Sequence, residues 1–273
     1  MMSDPMPDLD RYFARIGYHG NREPTLATLR EVHQHHVQSI PFENLDVLLG
    51  HRIDLTPAAI VQKIITQQRG GYCFEQNTLL HEVLRQLGFE VTPLLARVRW
   101  QVPVTVGTPL THMVLTVRIG DQSWLADVGF GGIGTPTPLL LGSPTEQATT
   151  HEPRRLKSDG DRVTHQVRLG ETWQDVYQIN LHPPPPIDFE LGNWFSCTHP
   201  KAMFVNNLVV TRVEPTGRLT LFNHDFTRRK LDGSTVTSHV KSPAELHELL
   251  ADAFGLHLPI GTPIRIPAAP WPD

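Results

Sequence analysis

Apolar residues recur every three or four positions through the early part of the chain. In "TLATLREVHQHHVQSI" they fall at Leu26, Leu29, Val32 or His33, His36 or Val37, and Ile40. That spacing predicts an amphipathic helix, with Pro24 and Thr25 as its start signals. "TPAAIVQKIITQQRGG" repeats the pattern with Ile60, Ile64 and Ile65 on the apolar face. Thr56 is placed to cap this second helix, Pro57 suits its first turn, and Gly70 and Gly71 stop it. A third helix is predicted from about Phe74 to Leu87, with Leu79, Leu80, Val83, Leu84 and Leu87 in one stripe and Gly88 closing it.

After Gly88 the period changes from helical to two. "EVTPLLARVRWQV", "THMVLTVRI", "SWLADVGF", "RVTHQVRLG" and "TWQDVYQINL" read as strands separated by Gly, Pro, Asp and Ser. An antiparallel sheet or small barrel is expected over roughly 91–190. Residues 134–162 are rich in Pro, Thr and Gly and read as a long loop or lid. The run Pro183 to Pro186 has no amide donors and marks a boundary. Beyond it, "NLVVTRVE" and "RLTLFN" read as strands. One helix starts at Ser242 and Pro243 and carries Leu246, Leu249, Leu250 and Phe254. The expected class is α+β, in three parts: a helical domain over 1–90, a β-barrel domain over 91–190 and an α/β domain over 191–273.

Composition narrows the function classes. The chain has 273 residues, 39% hydrophobic and 19% charged, which fits a soluble globular protein. Acids number 28 against 24 bases, for a formal net charge of −4, and no basic run occurs. Neither nucleic acid nor an anionic membrane surface is therefore expected as a partner. No stretch approaches the ~18 apolar residues that read as a membrane span. The opening "MMSDPMPDLD" is acidic and contains proline, unlike a secretory signal. Cys73 and Cys197 read as free thiols in a reducing cytoplasm rather than a disulfide framework. Of the 15 histidines, His33, His35 and His36 cluster. His33 and His36 share a helix face while His35 does not, and no second ligand set accompanies them, so no metal is expected.

"RGGYCFEQN", residues 69–77, carries the candidate chemistry. Gly70 and Gly71 permit a tight turn and a close backbone approach. Cys73 then sits at or near the first turn of a helix, where unpaired amides and the positive end of the dipole favour a thiolate. A packed, inert cysteine is the competing reading. A nucleophilic thiol needs a base, and the base needs an orienting acceptor. If Gly120 and Asp121 form a two-residue hairpin turn, Val114 opposes Asp127 and His112 lies diagonal to it. Diagonal pairs are roughly 7–8 Å apart, within reach of two side chains on one face. Met113, Leu115, Val117, Trp124 and Ala126 then fall on the opposite, apolar face. The residues alone leave a Cys-His-Asp site and a pair of ordinary strand and turn residues both open.

Taken together, the blocks "RYFARIGYHG", "PTLATLREVHQHH", "IPFENLDVLLG", "RGGYCFEQN", "LGFEVTPLLARVRW", "THMVLTV", "WLADVGFGG" and "NWFSCTHP" resemble the arylamine N-acetyltransferase family over most of the chain. The resemblance implies Cys73 as nucleophile, His112 as base and Asp127 as orienting acid, in a ping-pong reaction. Acetyl-CoA acylates Cys73, and an arylamine, arylhydrazine or N-hydroxyarylamine takes the acetyl group. No tightly bound cofactor is implied, and a homodimer is compatible with it. The implied fold is an N-terminal helical bundle, a central β-barrel-like domain and a C-terminal α/β lid, like a cysteine-protease or transglutaminase core.

Family likeness also places Phe42, Phe130 and Phe204 around the acceptor, each with core packing as its alternative. It makes Glu43 and Arg69 a buried ion pair bracing the cysteine loop. It lets the amides of Gly129, Gly131 and Gly132 approach CoA, with Thr198 as a further contact. Arg228, Arg229 and Lys230 read as a solvated basic turn. Cys197 departs from the family block and is given no catalytic part. Two rivals are a transglutaminase-like peptidase on the same core and a binding protein that keeps the fold. The second predicts loss of a triad residue or flanking glycine, and all are present. Malonyl- or propionyl-CoA stays open as a donor.

Overall fold

Helices fill most of the chain up to Leu87 in the computed structural model, which describes residues 7–103, 105–259 and 261–271. Helix α1 (Leu9–Ile16) starts where the Asp8 carboxylate accepts from the Asp10 and Arg11 amides, and it ends at Gly17 in the left-handed region. In α2 (Leu26–Ser39) the cap is Thr25, accepting from the Thr28 amide. Strand β1 (Phe42–Glu43) and the short α3 (Leu45–Leu48) follow. The predicted second helix is split: α4 (Pro57–Ile60) passes into a π-helical stretch, Val61–Thr66. There the Gln67 amide bonds back to the Gln62 carbonyl, one residue beyond α spacing. Ile64 and Ile65 stay buried on this widened turn, and Lys63 meets three carboxylates. Helix α5 (Cys73–Gln86) begins one residue earlier than its apolar stripe suggested, with Cys73 as its first residue.

The middle of the chain forms a seven-stranded antiparallel sheet in the order β5-β4-β3-β2-β8-β7-β6. Its strands are β2 (Glu90–Val98), β3 (Leu110–Ile119), β4 (Gln122–Ala126), β5 (Leu139–Leu140), β6 (Arg154–Asp159), β7 (Arg162–Leu169) and β8 (Thr172–Asn180). Pro93 is tolerated within β2 because β8 pairs only with Ala96 to Val98, leaving the proline's donor side unpaired. The β3–β4 hairpin pairs Ile119 with Gln122 and Leu115 with Ala126, the register expected from a Gly120–Asp121 turn. One expectation is corrected. Residues 134–162 are not wholly loop, since β5 and the whole of β6 lie within them. The period-two signal was too short in β5 and too polar in "RRLKSD" to register. Gln147 joins these two edge strands. Its side chain exchanges bonds with the Leu140 backbone, and its backbone exchanges bonds with Arg154. The sheet is thereby nearly closed into a barrel.

The last segment opens with α6 (Pro186–Thr198), whose first turn uses the end of the proline run, and the short α7 (Met203–Asn206). A five-stranded sheet follows, β1-β9-β10-β11-β12, with β9 (Val209–Glu214), β10 (Gly217–Phe222), β11 (Asp225–Lys230) and β12 (Thr235–His239). Arg228, Arg229 and Lys230 are therefore strand residues, not a turn. Arg228 lies over the Phe226 ring, and Arg229 faces Glu152. Helix α8 (Pro243–Phe254) packs Leu246, Leu250 and Phe254 into this sheet's core. The C-terminal segment covers the same core: Ile264 and Ile266 are buried, and Trp271 stacks on His224 at 3.9 Å. Among the described residues, no helix is long and apolar enough to cross a membrane.

Candidate active site

Cys73 is 3% exposed, and its amide belongs to the opening turn of α5, where no helical carbonyl can accept it. Its Sγ lies 3.6 Å from the Thr111 carbonyl oxygen, one residue before His112. Bringing the first residue of α5 against β3 puts the thiol beside the imidazole. His112 donates from Nε2 to Asp127 Oδ2 at 2.8 Å, with both side chains buried. That leaves Nδ1 as the nitrogen for the cysteine.

Asp127 is held by more than the histidine. Its Oδ1 accepts from Asn77 Nδ2 and from the Gly129 amide, each at 3.0 Å. Burial alone would raise its pKa, but the charge of His112 and these donors outweigh burial and hold the carboxyl at about 2. Burial alone would lower His112. The Asp127 charge and hydrogen bond, with a smaller contribution from Cys73, raise it to about 10. The imidazole is thus cationic over the neutral range, the state that favours a neighbouring thiolate.

The same cavity, about 480 Å³, is lined by Cys73, His112, Phe42, Phe130, Phe204, Gly129 and Gly131. The His112 and Phe130 rings meet edge-on with centroids 5.1 Å apart, and Phe204 lies 5.6 Å from Phe42 and 5.7 Å from Tyr72. Gly129 sits so close to α5 that a Cβ there would lie 2.6 Å from the Cys73 Cα and 2.7 Å from Asn77 Nδ2. A Cβ on Gly131 would lie 2.8 Å from the Phe42 ring. These two glycines therefore serve close packing around the cysteine and the aromatic wall. Gly132 has φ +87 and donates to the Thr211 hydroxyl. Thr198 lies outside this cavity, in a groove with Trp194 and Cys197. Phe195, Ser196 and Lys201, which sequence reading did not single out, do line the cavity.

Glu43 and Arg69 pair through Oε1, which accepts from Nε at 3.0 Å and from Nη2 at 2.8 Å. The pair is part of a larger network. Arg69 also reaches Asp46, and Lys63 reaches Asp46 and Glu75, each at 2.7 Å. Glu75 in turn accepts from the Tyr72 amide at 3.0 Å, directly before the cysteine. Asp46, Lys63, Glu75 and Asn77 were missed individually. The available signal was "EQN": Glu75, Gln76 and Asn77 are three consecutive polar residues at a helix start, and all are buried. The Tyr72 hydroxyl donates to Asn193 Oδ1, tying the cysteine loop to α6.

The chain is similar to known proteins in sequence and in fold. The N-acetyltransferase family model matches residues 25–262. The arylamine N-acetyltransferase of Mycobacterium tuberculosis is 37% identical over 255 residues, 92% of this chain and 90% of the relative. The arylamine N-acetyltransferase / N-hydroxyarylamine O-acetyltransferase of Salmonella typhimurium is 39% identical, over 91% of this chain and 88% of the relative. Among solved structures, the Mycobacterium marinum arylamine N-acetyltransferase in complex with CoA aligns with a TM-score of 0.87 at 36% identity, covering 91% of this chain and 92% of that one. With a buried acid–imidazole pair beside a helix-opening cysteine, and likeness of this extent in sequence and in fold, the chain belongs to the arylamine N-acetyltransferase family.

Proposed function

We propose that the protein transfers acetyl groups from acetyl-CoA to arylamines, arylhydrazines and N-hydroxyarylamines through an acetyl thioester on Cys73. The observation that supports this reading is one cavity lined by Cys73, His112 and three phenylalanines, with Asp127 hydrogen-bonded to His112. In the first half-reaction the Cys73 thiolate attacks the acetyl carbonyl. The Cys73 amide is the donor available to the oxyanion. The C–S bond to CoA breaks, and His112 protonates the departing CoA thiolate. In the second half-reaction a neutral aromatic amine attacks the acetyl-cysteine. Neutral His112 takes the amine proton, and the Cys73 thiolate leaves, restoring the starting ion pair. The two half-reactions give ping-pong kinetics. Phe42, Phe130 and Phe204 hold the aromatic acceptor and limit the water that would otherwise hydrolyse the thioester. The amides of Gly129 and Gly132 are committed to Asp127 and Thr211, so Gly131, which lines the cavity, is the glycine retained for CoA, with Thr198 as an outer contact. Glu43 and Arg69 brace the cysteine loop.

On this reading residues 1–90 act as a helical bundle presenting the cysteine, 91–190 as the barrel supplying His112 and Asp127, and 191–273 as a lid. Strand β1 and helix α6 cross those boundaries and couple the parts. A reducing cytoplasm suits a catalytic thiol. The test is brief exposure to acetyl-CoA without acceptor, followed by mass spectrometry. One acetyl group is expected on the peptide containing Cys73, absent from Cys73→Ser and discharged by an aromatic amine or hydrazine. An unmodified Cys73 in a protein that still transfers acetyl groups would sink the mechanism.

A further inference from the structure

Helix α2 carries two fully buried histidines, His33 and His36, that the proposed transfer does not use. They lie three residues apart on one face, and each reaches a different half of the site. His33 places Nε2 3.1 Å from the Asp127 carbonyl oxygen and 3.3 Å from the Asp127 amide. Its Nδ1 has no hydrogen-bond partner among the described residues. His36 places Nε2 3.2 Å from Gln76 Oε1 and Nδ1 2.9 Å from the Tyr12 hydroxyl. Gln76 in turn donates from Nε2 to the carbonyls of Gly71, at 2.7 Å, and Pro41, at 3.2 Å.

The tautomer of His36 follows from this chain. The Gln76 amide nitrogen is committed to two carbonyls, so its oxygen is the acceptor and His36 Nε2 must carry the proton. Nδ1 then accepts from Tyr12. Burial lowers the pKa of His33 to about 4 and of His36 to about 3, so each ring is neutral near pH 7 and offers one directional donor. A neutral His33 engages the Asp127 peptide through Nε2, which donates to the carbonyl in one tautomer and accepts from the amide in the other.

The triad draws on one helix and one hairpin. Cys73 opens α5, His112 lies on β3 and Asp127 follows β4. Asn77 links α5 to the Asp127 carboxylate, but the peptides that carry the groups also need fixing. We infer that α2 is a shared brace for the two halves of the site: His33 positions the peptide of Asp127, and His36, acting through Gln76, positions the Gly71 carbonyl of the cysteine loop. Both are positioning residues, and the inference rests on the function proposed above.

The experiment compares wild type with His33→Leu, His33→Gln, His36→Leu and His36→Gln. Leucine fills space without a donor, whereas the glutamine amide can still donate. Three readouts are taken: the single-turnover rate of Cys73 acetylation by acetyl-CoA, the pH profile of Cys73 alkylation, and thermal melting. The leucine variants are expected to acetylate about 10- to 100-fold more slowly, as misplacement by about an ångström does elsewhere. Their alkylation profiles depart from that of wild type. The glutamine variants recover most of the rate and the wild-type profile. A wild-type rate and profile in a folded leucine variant overturns the inference, as does a loss in a folded glutamine variant equal to that of leucine. Should a leucine variant not fold, its glutamine counterpart decides on the same criteria. Wild type that is not acetylated at all overturns both this inference and the function beneath it. Acetylated wild type with indifferent variants overturns this one alone.

Discussion

The Asp127 carboxylate accepts from His112, Asn77 and the Gly129 amide, and this gives the site a defined pH window. Its folded pKa, about 2, lies below the ordinary 3.8, so its contribution is complete above that value and is lost as pH falls toward 2. His112 behaves in the opposite sense. With a folded pKa of about 10 against an ordinary 6.5, its contribution is complete below 6.5 and is lost as pH rises through 10. The stability difference between wild type and Asp127→Asn, read by urea unfolding, should be largest between about pH 4 and 6.5 and shrink on both sides. A difference that stays flat from about pH 2 to pH 10 would contradict the buried ion pair. At this scale much was legible in the sequence. The Gly120–Asp121 turn sets the hairpin register, and register alone places His112 diagonal to Asp127. Asn77 was not legible as their partner. It lies on another element, and nothing local distinguishes a buried amide from an exposed one.

Helix α5 is aimed by charges that come from three separate segments. Glu43 follows α2, Lys63 sits on the π-helical stretch, and Glu75 is in the first turn of α5 itself. The widened π turn is where Lys63 reaches Glu75 and Asp46, and the alternative of a regular α-helix was the simpler reading of "IVQKIITQQ". Lys63→Met leaves Glu43, Asp46 and Glu75 with Arg69 and, at Asp46, His51 as the nearby basic groups among the described residues. Removing one side of a buried network typically costs about 3–5 kcal/mol, more than replacing the whole network by apolar groups. The expected result is a lower urea midpoint with an unchanged slope, together with slower acetylation of Cys73. An unchanged midpoint would mean that the network is solvated and idle. The Glu43–Arg69 pair was readable only through family resemblance. The helices themselves were readable because a stripe at period 3.6 is a local signal.

Across the whole molecule, a single carboxylate joins the barrel to the C-terminal sheet. Glu152 accepts from Arg154 at 3.2 Å and Arg218 at 2.9 Å, and Arg229 approaches its other oxygen at 3.7 Å. Arg154 and Arg218 are almost wholly buried, and Arg154 Nε, Arg218 Nε and Arg218 Nη1 have no hydrogen-bond partner among the described residues. Burial alone would raise the Glu152 carboxyl, but Arg218 and then Arg154 outweigh it and hold the pKa at about 2. Glu152→Gln should destabilise by about 3–5 kcal/mol at neutral pH, because two buried guanidiniums lose their counter-charge. The folded pKa lies below the ordinary 4.5, so the deficit relative to wild type should narrow as pH falls from there toward 2. Thermal melting of both proteins over that range checks the direction. A deficit that widens in acid would reverse the sign and reject the clamp.

Local pattern in the chain was sufficient to determine the change from helical to strand period after Gly88, a helix opening at or near the cysteine and, given a Gly120–Asp121 turn, the face shared by His112 and Asp127. Each depends on residues a few positions apart, where periodicity, caps and turn chemistry act directly. Tertiary structure alone decided the rest. Gln147 closing the barrel, Glu152 clamping it to the next sheet, and His33 reaching the Asp127 peptide from 94 residues away all depend on packing between distant segments. In those places a polar residue becomes buried only because another part of the chain covers it, and no local pattern records what the cover will be.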